Sequence, residues 1–225
     1  MAVQDKRRDA EKTPAAAPRA QSDAPAPVGL VSRQVSTEQR ADNTYREAVA
    51  LVRQGRTTEA QGLLRQALAD MPAHHEARLL HARLLAGDGR SAEARSLLGE
   101  GLGLKSPPLA MYTTLAQAQL LARDAESAVT TLERGLPQAG ENAEYHALLA
   151  AALQQQDRHA DAVQHYLVAL RQFPDAANWL VGLGVSLQAT RNPQGAAEAY
   201  QHGIELGLPS ALTQFARERL EQLKR

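Results

Sequence analysis

The sequence contains no cysteine, which excludes disulfides, thiolate nucleophiles and cysteine-ligated metals together and leaves the redox compartment open. It is also poor in aromatics, which make up 4% of it against 44% hydrophobic residues in all. Any core must therefore be filled by alanine, leucine and valine, a composition that favours closely packed helices over a sandwich of β-branched and aromatic strands. Net charge is missing as well. Basic and acidic residues number 25 each, so no overall field draws the chain to nucleic acid or to an anionic membrane. The opening MAVQDKRRDAEK has no apolar run behind its basic residues, as a signal peptide or membrane span would need. The expectation is a soluble chain with no membrane contact of its own and no nucleic-acid partner.

What is present changes character along the chain. Pro14, Pro18, Pro25 and Pro27 lie among alanines and mixed charges, a composition that buries too little surface to offset its ordering entropy. Residues 1–35 are expected to form a disordered Ala/Pro-rich linker, and 36–225 the folded domain. The SxxQ pattern from Ser36 to Gln39 is that of a capping box and predicts a helix start.

From residue 41 the chain divides into five blocks of 34 residues without an insertion: 41–74, 75–108, 109–142, 143–176 and 177–210. The twentieth place is always alanine (Ala60, Ala94, Ala128, Ala162, Ala196). The eighth (Ala48, Ala82, Ala116, Ala150, Gly184) and the twenty-seventh (Ala67, Gly101, Gly135, Ala169, Gly203) hold only small residues. Large residues fill the twenty-fourth place (Leu64, Leu98, Leu132, Tyr166, Tyr200) and the place four further on, one helical face in each block. Breakers fall near the middle and end of each block, so each is expected to be two antiparallel helices. Helices approach closely only where side chains are small, and stacked pairs share a core that one pair cannot build alone. The amphipathic segment 211–225 is expected to cap the open end. The fold class expected is all-α: an α-solenoid of five helix pairs with a C-terminal capping helix.

The glycine-rich stretch GEGLGLKS, Gly99 to Ser106, invites comparison with a phosphate loop, which needs its final glycine directly before the lysine and must open a helix. Here Leu104 intervenes and the pattern places the stretch at the end of a helix, closed by Ser106, Pro107 and Pro108. The seven histidines include no i, i+4 pair with a carboxylate, so they are expected at the surface or its boundary and no metal or cofactor is expected. Trp179 is expected to be buried rather than to anchor an interface. No nucleophile with its base and no paired catalytic carboxylates are recognisable, so no catalytic residue is assigned and the reading is non-enzymatic.

The period, with small residues at places eight, twenty and twenty-seven, resembles the tetratricopeptide repeat. More narrowly, LERGLPQAGENAEYHALLAAALQQQ and NWLVGLGVSLQA resemble the repeat region of the MshN family of MSHA type IV pilus biogenesis proteins. That resemblance implies a periplasmic repeat domain acting in pilus assembly and tethered to the inner membrane by an anchor upstream. The repeat resemblance implies that the first helix of each pair lines a concave groove holding a peptide or protein partner. The groove residues it implies are Tyr45, Val49 and Val52, then Leu79 and Arg83, Gln117 and Leu120, Gln154 and Gln155, and finally Asn178, Val181, Val185 and Gln188. The lysine and asparagine clamp with which some tetratricopeptide co-chaperones hold a carboxylate is absent: Tyr45, Val49, Leu80, Ala110 and Thr114 stand there. The rival expectation is a structural module that forms homo-oligomers through its end repeats.

Overall fold

The structure, a computed structural model, describes residues 36–224, so the linker expected over 1–35 lies outside the described residues. Those residues form eleven helices and no strand. The helices of the first block are α1 (Thr37–Arg53) and α2 (Thr57–Asp70), and of the second α3 (His75–Gly87) and α4 (Ser91–Leu102). The third has α5 (Leu109–Leu121) and α6 (Ala125–Ala139), and the fourth α7 (Ala143–Gln154) and α8 (His159–Gln172). The fifth has α9 (Ala177–Ala189) and α10 (Pro193–Glu205), and α11 (Ser210–Leu223) packs on the end.

The helix boundaries follow from local chemistry. Ser36 starts α1 through a reciprocal capping box with Gln39, both bonds at 3.1 Å. Between the two helices of each block the chain turns through one left-handed residue at the fifteenth place: Gly55, Gly89, Arg123, Asp157 and Arg191, with φ from 57° to 78°. The next helix is then started in one of two ways. Asp124 and Asn192 cap it with a side-chain oxygen that accepts from Ser127 N and Gly195 N. Arg56, Arg90 and Arg158 instead grip an acid three residues on, Glu59, Glu93 and Asp161.

The small columns lie at the closest approaches. All five alanines of the twentieth place are at most 1% exposed. At Gly135 a methyl group would collide with the Tyr145 hydroxyl and lie 2.8 Å from Tyr112 Cγ, and at Gly184 it would lie 2.7 Å from the Tyr200 ring. The space left at Gly135 lets Tyr145, itself fully buried, donate its hydroxyl to the Leu132 carbonyl at 2.7 Å. α3 packs on α5, α5 on α7, α7 on α9, and α9 on α11, whereas no two second helices meet to a comparable degree. The first helices therefore make the inner wall of the solenoid.

Three expectations are corrected. Helix α4 stops at Leu102 rather than at Ser106: Gly103 is its C-cap, and the chain turns through Ser106, whose φ is 53°. Gly101 is the glycine of that stretch that packing requires, since a methyl group there would strike Arg78 and Met111. The histidines are not all superficial, for His74, His81 and His146 are buried. His74 Nδ1 accepts from Ala77 N at the start of α3, and His146 reaches the Gly140 carbonyl at 2.8 Å. Trp179 is only half-buried, with its ring edge-to-face on the exposed Phe173.

Candidate functional site

The inner wall carries apolar floors with polar rims. Between α1 and α3, Tyr45, Val49, Val52, Leu79 and Leu80 line a hollow of about 390 Å³, rimmed by Arg53, Arg83 and Glu76. Arg53 and Arg83 are exposed and have no hydrogen-bond or ion-pair partner among the described residues. Glu76 lies 3.4 Å from His74 Nδ1. The structure thus brings together five of the residues assigned from sequence: Tyr45, Val49, Val52, Leu79 and Arg83. A second hollow of about 290 Å³ lies between α5 and α7, where Gln117 meets Thr113, Glu144 and Leu148. Leu120 is half-buried against the main core cluster, while Leu121, next in the chain, is 87% exposed.

Further along, the assigned residues separate. Gln154 has its amide fully engaged: Nε2 donates to the Gly182 carbonyl at 2.7 Å and to Ser186 Oγ at 2.8 Å, and Oε1 accepts from the Tyr166 hydroxyl at 2.8 Å. Gln188 accepts from the Tyr200 hydroxyl at 3.2 Å in the same way. Burial pushes the Tyr166 and Tyr200 hydroxyls up to about 12, so both stay protonated donors. Val181 is 6% exposed within the cluster of Ala196, Tyr200 and Ala216, and Val185 packs against the same cluster. Gln155 is exposed as the C-cap of α7, and Asn178 is exposed on the first turn of α9. A signal for the two glutamines was present in the sequence. Where the twenty-fourth place is tyrosine the twelfth is glutamine, as in Tyr166 with Gln154 and Tyr200 with Gln188, and elsewhere neither residue occurs.

The histidines supply no metal centre: no group of three or more potential ligands converges among the described residues. His146 and His165 approach through their Nδ1 atoms at 2.8 Å. The Gly140 carbonyl needs a donor, so His146 Nε2 carries its proton, its Nδ1 accepts, and His165 Nδ1 donates. Burial, and next the neighbouring His146, hold the His165 imidazole below its ordinary range, which favours its neutral form.

Tetratricopeptide-repeat family models match residues 51–105, 113–177 and 152–207. The chain is built of tetratricopeptide repeats. Its fold is shared by YrrB, a tetratricopeptide protein with an unusual peptide-binding site, at a TM-score of 0.70 and 16% identity, covering 79% of this chain and 92% of YrrB. It is shared too by MamA from Desulfovibrio magneticus RS-1, at 0.65 and 18%, covering 74% and 94%. Another MamA structure gives 0.67 and 15%, with 75% and 92% covered. At such identities these likenesses speak for the fold alone. No curated protein matches the sequence. The tetratricopeptide fold is that of a protein–protein interaction scaffold with protein or peptide partners. No helix among the described residues is long and apolar enough to cross a membrane.

Proposed function

We propose that the first two repeats hold the main docking point of this scaffold, for a peptide that lays an apolar side chain on Tyr45, Val49, Val52 and Leu79. The observation that carries the reading is the apolar hollow between α1 and α3, whose rim offers two unpaired guanidinium groups at Arg53 and Arg83. A partner with a carboxylate near its apolar anchor suits that rim, because guanidinium forms forked bonds to carboxylate. The wall continues through Gln117 and Leu121 towards Asn178, which gives an extended peptide or an amphipathic helix further contacts. Gln154, Gln188 and Val181 are left to hold the wall together.

The setting we favour is assembly of a pilus or secretion apparatus in the periplasm, on the strength of the segments that resemble the MshN family. A photo-crosslinking residue at Val49 or Leu79 should capture the partner, while the same residue at Thr130, exposed on α6, should not. Capture only from Thr130 ends the groove reading. Capture of a second copy through α1 or α11 replaces it with self-assembly. Unchanged surface pili after deletion of the gene would remove the pilus setting and leave the groove untouched.

A further inference from the structure

Trp179 is the only tryptophan in the chain, and its surroundings differ from the inner wall in both shape and charge. It packs against the small-residue cluster of Ala143, Ala147 and Ala169. Phe173 stands against it edge-to-face, ring centres 5.9 Å apart, yet is 48% exposed, a costly placement for a large aromatic without a partner. Trp179 lines two hollows. The larger, about 440 Å³, has Phe173, Pro174 and Trp179 as its apolar lining and Glu144 and Asp175 as its charged groups. The smaller, about 280 Å³, shares Trp179 and reaches Asn178 and Pro209.

The charges point one way. Neither Glu144 nor Asp175 has an ion-pair or hydrogen-bond partner among the described residues. The guanidinium nearest in sequence, Arg171, is already held by Glu141 at 3.2 Å, so no cation among the described residues answers them. Two unanswered carboxylates beside two aromatic rings suit a cation carried on an apolar stem, through ion pairing and attraction to the ring faces.

We propose that this rim is a second docking site, taking a peptide segment in which lysine or arginine alternates with apolar side chains. The apolar residue fills the larger hollow beside Phe173, and the cation lies between Glu144, Asp175 and the rings. Its charge preference is opposite to that of the Arg53 and Arg83 rim, so the two sites select different segments; Glu144 also borders the hollow between α5 and α7, whereas Phe173, Asp175 and Trp179 do not.

Because Trp179 is unique, its fluorescence reports this site. Titration with a synthetic peptide of alternating leucine and arginine should give a saturable change, and its leucine–glutamate counterpart should give none. The pair of substitutions Glu144→Gln and Asp175→Asn, both at exposed positions, should weaken binding at least about threefold, the loss expected from exposed ion pairs. Phe173→Ala should weaken it as well, measured by calorimetry because this change alters the tryptophan signal itself. Val49→Asp, in the other hollow, should leave it unchanged. Equal response to the glutamate peptide, or undiminished affinity after the two carboxylate substitutions, overturns the assignment whatever becomes of the groove.

Discussion

The contact between the first and second repeats and the contact between the third and fourth use the same backbone period but different chemistry. At the first, polar side chains meet beside the apolar ones of α2 and α3: Gln61 donates to Asp88 at 2.6 Å and accepts from Arg90 at 3.3 Å. Arg78 is 5% exposed in the bulky fourth place, where it donates to the Leu97 and Pro72 carbonyls at 2.9 Å. His81 is buried with neither ring nitrogen bonded. At the second, the side chains are apolar or fully satisfied: Leu132, Leu149 and Tyr145 are all 0% exposed, and Tyr145 has its carbonyl partner. The core is cut into clusters, one of them of Val181, Ala196, Tyr200, Leu208 and Ala216 at the far end. Ala48, Ala60, Leu64, Ala67 and Ala77 form a cluster of their own, while a single larger one runs from Ala82 to Ala199. Repeats that look equivalent in outline therefore contribute unequally, and the weaker end carries the hollow assigned to the partner.

Several substitutions break or sharpen that contrast. Leu149→Ala, at the apolar contact, should cost about 2–5 kcal/mol by leaving a cavity, read as the midpoint of denaturant unfolding. His81→Leu, at the polar contact, should act in the opposite sense and gain about 1–3 kcal/mol near neutral pH, because it removes a buried donor and acceptor that have no partner. A loss there would mean that His81 contributes more to packing than its unpaired nitrogens cost.

The same histidine gives the weak end a pH dependence. Burial, and next the charge of Arg65, hold the His81 imidazole below its ordinary range, so the unfolded chain binds that proton more readily than the folded one. Stability is then full above the unfolded value of about 6.5 and falls as the pH drops through it. Denaturation at successive pH values should show this fall, reduced in His81→Leu. The remainder belongs to His165, whose shift has the same sign. Amide exchange should place the His81 part in α1 to α4, with α6 and α7 the slowest to exchange.

Tyr145→Phe should cost about 0.5–1.5 kcal/mol, the net value of a buried hydrogen bond. The smallest effect concerns the turns, where the first two repeats have glycine and the third does not. Arg123→Gly should stabilise by up to about 1 kcal/mol, since a non-glycine residue at φ 62° carries the left-handed penalty. Thermal melting checks both.

Much of the fold could be read directly from the chain, because a repeat multiplies weak signals. One alanine at a helix contact means little, but five in the same column mean a required close approach. At its first end, Tyr45, Val49, Leu79 and Arg83, which the repeat resemblance put on one wall, do line one hollow; that a partner lies there is the proposal. Gln154 and Gln188 were misleading because a polar residue on an inner face looks free until its partner is seen. That partner, a tyrosine twelve places on, belongs to the second helix of the same block. The buried histidines had no such signal, since burial at His81 depends on how two neighbouring repeats close over it.

The order of small and large side chains alone determined the period, the helices and the way the pairs nest, because excluded volume acts identically in every copy and needs only size. Which polar groups are satisfied was decided by the tertiary structure. Hydrogen bonds and ion pairs depend on distances of a few tenths of an ångström between residues far apart in the chain, and those distances exist only once the superhelix has closed. Tyr166 thereby finds Gln154, His165 finds His146, and Glu144 and Asp175 are left beside Trp179 with no cation among the described residues.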